Sequence, residues 1–128
     1  MKEKIIESRA FKTYIKDDVC FTIVKPGAVI TLEDAEENTT AVKELSKNDV
    51  FPILVDLRLI SQITKEARDH FAMRERKPGV NAIAMLVRSP VSSIIGNFFL
   101  GMNKPKVPTQ LFSTEAKALK WLEQFIKN

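Results

Sequence analysis

The chain has 128 residues, with 20 Lys and Arg against 16 Asp and Glu, 45% hydrophobic and 28% charged. Such a chain makes one domain with one sizeable core in ordinary globular proportions, which excludes disorder, collagen-like repeats and a multidomain enzyme. The net charge of +4 falls far short of the basic stripe of a nucleic-acid binder, so no nucleic-acid partner is expected.

Residues 10–16 alternate in polarity with period two, the pattern of a half-buried strand. Asp17-Asp18 turns the chain into a second strand, the β-branched and apolar run at 19–24. So short a turn makes the two strands antiparallel, and Lys25-Pro26-Gly27 closes the hairpin. Thr31, with Asp34 three residues on, reads as a capping box for a helix whose inner face is Leu32, Ala35, Thr39, Val42 and Leu45. Asn48-Asp49 ends that helix, and the apolar run 50–57 predicts a buried parallel strand.

Ile63, Ala67, Phe71 and Arg74 mark the inner face of a second helix, stopped by Lys77-Pro78-Gly79. Residues 82–87 form another strand. Ser89-Pro90 opens a third helix, with Val91, Ile94, Ile95, Phe98, Phe99 and Met102 at helical spacing, and Lys104-Pro105 closes it. A last strand spans 109–112, and Ser113 caps a final helix with Ala118, Leu119, Leu122, Phe125 and Ile126 inward. The order is ββαβαβαβα: a single α/β domain over 1–128, its core at about 8–127. It has four helices on a mixed five-stranded sheet whose first strand is antiparallel. Leu54, Val55, Ile83, Leu86, Phe98, Leu119 and Leu122 are expected in the core.

Most enzyme signatures are absent. One His and one Cys make no metal constellation, and the four glycines fall in no phosphate-cradling spacing. No catalytic residue, cofactor or metal site is therefore expected, and the protein reads as a non-enzyme. His70 reads as a helix-flank residue with Glu66 one turn before it, and Cys20 as a small strand hydrophobe. Asp56, inside a buried strand, either shapes the following loop through its backbone N–H groups or serves as a catalytic or phospho-accepting acid.

Two features stand out. No charged residue lies between Arg88 and Lys104, so the third helix presents an uncharged outer side with Ser92, Ser93, Gly96, Asn97, Leu100 and Gly101. That side is either covered by the protein's own chain or a face for a partner, a second subunit or an apolar ligand, centred on Ser93, Gly96, Asn97 and Leu100. The second feature is a cationic rim where parallel strands end: Lys25, Arg58 and Arg88, with Thr64, Lys65 and Ser89 beside them. Open α/β sheets place ligands at this edge, so the rim suits an anion or an acidic partner loop; otherwise these are solvated cations.

The run Ile53-Leu54-Val55-Asp56-Leu57, then Ile63-Thr64 and a helix, resembles STAS domains, the sulfate-transporter and anti-sigma-factor-antagonist modules. Pro108-Thr109-Gln110-Leu111-Phe112-Ser113-Thr114-Glu115-Ala116, with Trp121-Leu122, resembles their SpoIIAA-like, STAS/SEC14 branch. The resemblance implies a regulatory module that recognises a protein partner. A small-molecule carrier for an apolar or lipid-like ligand is the alternative. The family's Asp-Ser-Ser-Gly falls here on Thr64-Lys65-Glu66-Ala67, so Lys65 stands at the phosphorylated serine's position and Thr64 is the neighbouring hydroxyl. On this reading Thr64 is a helix cap. The lone cysteine, and the absence of a signal-peptide pattern or a membrane-spanning run, set the expectation of a cytoplasmic protein.

Overall fold

The computed structural model describes residues 4–47, 49–74, 79–101 and 107–126. In chain order these form β1 (Ile5–Glu7), β2 (Phe11–Lys16), β3 (Val19–Val24), β4 (Val29–Ile30), α1 (Leu32–Ser46), β5 (Phe51–Asp56) and β6 (Gln62–Ile63). Then come α2 (Lys65–Arg74), β7 (Val80–Leu86), α3 (Pro90–Gly101), β8 (Thr109–Phe112), α4 (Glu115–Leu122) and a 3-10 turn, Glu123–Phe125. The main sheet has six strands in the order β1-β2-β3-β5-β7-β8. Its first three strands are mutually antiparallel, and β3, β5, β7 and β8 run parallel.

The fold is thus the expected mixed α/β sheet with four helices, and the strand count is the difference. The expected five became six because Ile5–Glu7 adds an edge strand to β2, in a segment too short and too charged to show a period. A separate parallel ribbon pairs Val29–Ile30 with Gln62–Ile63, so Ile63 precedes the second helix instead of belonging to it. The turn between β2 and β3 is two residues long. Asp17 and Asp18 hold φ of 51° and 64°, the left-handed pair that matches the twist of a tight hairpin.

The period of two sorts the sheet into two faces. One carries Thr13, Cys20, Thr22, Ile53, Val55, Ile83 and Met85 and lies under α1, α2 and α3. The other carries Phe21, Leu54, Ala84 and Leu86 and is covered by α4 through Ala118 and Leu122. Leu54, Leu86 and Leu122 are fully buried, as expected, whereas Val55, Ile83, Phe98 and Leu119 are half-buried.

Caps fix the helix starts. Thr31 accepts the amide of Asp34, and Asp34 accepts that of Thr31, the reciprocal box expected. For α4 the capping residue is Thr114, which accepts from the amide of Lys117; Ser113, the expected cap, lies one residue outside. α1 ends at Ser46, with Lys47 at φ 56° closing it. The expected breakers Asn48, Lys77-Pro78 and Lys104-Pro105, and Met102, lie outside the described residues.

Candidate functional site

The carboxyl ends of β3, β5, β7 and β8 share one edge of the sheet. The register aligns Ile23 with Asp56, Asp56 with Leu86, and Leu86 with Phe112. Lys25, Arg58 and Arg88 follow these positions, so the topology gathers the rim residues along one edge. Chemistry at that edge is largely internal. The Lys25 ammonium lies 3.0 Å from Glu7, whose pKa it lowers, first by hydrogen bonding and then by charge. Arg58 grips Asp56 with two parallel bonds, Nε to Oδ1 at 3.0 Å and Nη2 to Oδ2 at 2.8 Å. Lys65 pairs with Asp69 one turn along α2 at 2.9 Å. Hydrogen bonding to Asp56 raises the pKa of Arg58, and hydrogen bonding to Asp69 raises that of Lys65. Of the four rim cations, Arg88 alone has no ion-pair partner among the described residues.

The hydroxyls of the edge are engaged as well. Thr64 Oγ1 accepts the amide of Ala67 at 3.2 Å and so caps α2. Ser89 Oγ accepts the amide of Ser92, while Ser92 Oγ accepts the amides of Arg88 and Ser89. Asp56 Oδ1 also accepts the amide of Arg58 at 3.0 Å, the loop-shaping role weighed for it. Both its oxygens are therefore occupied.

α3 is rotated relative to the expected face. Ser92, Ile95 and Gly96 are buried, and Val91 and Ile94 point outward at 42% and 70% exposure. Gly96 therefore cannot belong to an outer partner face. A Cβ there would stand 2.9 Å from Leu111 Cδ2 and 3.0 Å from Val87 Cγ1, so glycine lets the helix approach β8. Asn97 is exposed, Ser93 and Leu100 are half-buried, and Asn97 Nδ2 donates to the Ser93 carbonyl at 2.8 Å. The outward stripe of α3 is thus Val91, Ile94 and Asn97, with no charged side chain anywhere on the helix.

Beneath α1, α2 and α3 lies a cavity of about 90 Å³, partly open to solvent. Its walls are apolar except for Thr22 and Asn38. Asn38 Nδ2 donates to Thr13 Oγ1 at 3.1 Å, and Thr22 Oγ1 is buried with no hydrogen-bond partner among the described residues. Nothing in the sequence marked Thr22, since threonine is ordinary in strands. Among the described residues no cluster of His, Cys, Asp and Glu could hold a metal ion, and no helix is long and apolar enough to cross a membrane.

The family model for a domain of unknown function, DUF7793, matches residues 13–126. The chain belongs to the DUF7793 family. Its fold is SpoIIAA-like. An uncharacterized protein of the DUF3478 family with that fold, from Shewanella loihica PV-4, is similar over 94% of this chain and 92% of its own, with a TM-score of 0.58 and 14% identity. A protein with unknown function from Arthrobacter sp. FB24 is 31% identical over 93% of this chain and 97% of its own, with a TM-score of 0.35. No curated protein matches the chain. A SpoIIAA-like fold says what scaffold DUF7793 uses, and function has to be argued from the residues it displays.

Proposed function

We propose that this DUF7793 domain is a non-enzymatic, cytoplasmic binding module that recognises a protein partner through the outward stripe of α3. One observation carries the reading: Ile94 is 70% exposed, beside Val91 at 42%, on a twelve-residue helix without a charge. A solvated helix face ordinarily carries Lys and Glu, and a branched apolar pair in their place suits a hydrophobic contact. Asn97 continues the stripe as a polar rim residue. The cavity under α2 is smaller than the several hundred Å³ of a pocket that encloses a lipid-sized ligand, which favours the partner over the lipid carrier. The capping duty of Thr64 and the ion pair of Lys65 argue against a phosphorylation switch at those positions.

The test is quantitative affinity capture from the native cytoplasm with the wild type and Ile94→Glu, alongside urea unfolding of both. Ile94 is solvent-facing, so the unfolding midpoint should barely move. A charge at the centre of an apolar contact should cost about 2 kcal/mol or more of binding. A protein retained by the wild type and lost by Ile94→Glu supports the reading. Identical capture profiles from the two would end it.

A further inference from the structure

The helix-covered face of the sheet is incompletely filled. α1 packs on β2 and β3, and α3 packs on β8, while α2 packs chiefly against α1. The space left between them is the cavity of about 90 Å³, walled by Val55, Ile83 and Met85 on the sheet and by Phe71 and Phe99 on α2 and α3. Protein interiors are close-packed, and natural cores keep few voids larger than a water molecule.

Thr22 gives this void a chemistry. Thr13 and Thr22 are opposite one another in the β2–β3 pair, so two hydroxyl-bearing residues share this face. Thr13 is satisfied by Asn38, but Thr22, only 3% exposed, offers Oγ1 to no group among the described residues. Valine has the same shape and would carry no such penalty in a strand. A hydroxyl retained in an apolar wall, without a protein partner, points to a partner that comes from outside.

We propose that this cavity binds a small, neutral, largely apolar molecule carrying one hydrogen-bonding group, such as an alcohol or a ketone, and that Thr22 Oγ1 is its polar anchor. Neutrality follows from the walls, where no charged side chain takes part and an ion would lose its hydration uncompensated. Size follows from the volume, below the roughly 150 Å³ of a cavity that holds benzene. The ligand is therefore a short alkyl or branched molecule. The site does not depend on a partner at α3, since its walls are inward-facing residues.

The probes are 1-butanol and 1-chlorobutane, which share a chain and differ in hydrogen bonding. Each is titrated into methyl-labelled protein, following Val24, Val55, Ile83 and Met85, with the exposed Val91 and Ile94 as controls for weak surface binding. Both probes should shift the cavity methyls saturably and more than the controls. Thr22→Val should weaken 1-butanol about three- to tenfold, the worth of one neutral hydrogen bond, and leave 1-chlorobutane within about twofold. Thr22→Val removes an unsatisfied polar atom without changing shape, so it should fold. Cavity methyls that shift no more than the controls would overturn the site. Equal effects of Thr22→Val on the two probes would overturn the anchor.

Discussion

Ser89 and Ser92 cap one another: Ser92 Oγ accepts the Ser89 amide at 2.9 Å, and Ser89 Oγ accepts the Ser92 amide at 3.0 Å. Serine here occupies the position at which a capping box carries Glu or Gln. Its short side chain reaches back only by lying against the backbone, where it also takes the Arg88 amide at 2.9 Å. Ser92 is thereby drawn fully inside. Once Ser92 faces in, helical spacing sends Ile95, Gly96 and Phe99 inward, and Val91 and Ile94 outward. A polar residue thus sets the exposure of the apolar stripe.

Ser92→Ala should strip two part-buried amides, those of Arg88 and Ser89, of their acceptor. We expect a loss of about 1–3 kcal/mol. Urea unfolding should show a lower midpoint with an unchanged slope. A loss within the scatter of ordinary surface substitutions would mean that water replaces the hydroxyl.

Gly96 separates close approach from helix propensity. Gly96→Ala gains about 1 kcal/mol of propensity but places its methyl against Leu111 and Val87. The Leu111 tip can turn aside; the branched Val87 cannot. Gly96→Ala should therefore leave stability nearly unchanged. Gly96→Leu has similar propensity and cannot fit, so it should cost about 1–3 kcal/mol by overpacking. Thermal unfolding of the two variants measures the difference.

The α1 capping box, the Asp17-Asp18 turn and the buried β5 were legible in the sequence because each is a local pattern with one physical solution. The face of α3 was not. All of its residues but Asn97 are apolar or small and none is charged, so polarity alone does not say which side meets the sheet. The serine contacts that decide it depend on where β7 ends in space. Gly96, read as an outer residue, is inward for the same reason. The rim was legible as positions, since strand order gathers Lys25, Arg58 and Arg88. Their partners were not: Glu7 arrives on β1, an added edge strand, and Asp56 needed the loop geometry to meet Arg58.

Asp34 should make the fold acid-sensitive. Its side chain is 2% exposed, and it accepts bonds from the Thr31 amide at 2.9 Å, the Thr31 hydroxyl at 3.0 Å and the Arg9 guanidinium. Burial pushes its pKa up, but the Thr31 bonds and Arg9 outweigh burial and hold it below the usual carboxylate value. A depressed folded pKa stabilises above the unfolded value, about 3.9, and that stability is lost as pH falls through the folded pKa. Asp34→Asn should be less stable than the wild type at neutral pH, with the gap closing below about pH 4. Urea midpoints across that range give the comparison, and a gap independent of pH would contradict the assignment.

Asp56 and Arg58 make the most closed ion pair of the rim, with side chains 13% and 27% exposed. Each carboxylate oxygen takes a guanidinium N–H, and Oδ1 also takes the Arg58 amide. Such a pair is costly to break from one side, because the surviving charge stays half-buried without its acceptor. Asp56→Ala should cost about 1–3 kcal/mol, since Arg58 then loses its bidentate partner and its amide loses an acceptor. Arg58 would retain only the field of Glu115, which acts on it by charge. The double variant, Asp56→Ala with Arg58→Ala, leaves no orphaned charge and should recover part of that loss. A double-mutant cycle should therefore give a coupling of about 0.5–3 kcal/mol. Because pairing raises the already high pKa of Arg58, its stabilisation should not change across neutrality. Strict additivity of the two substitutions would show that solvent screens the pair, leaving the cation available to an external anion.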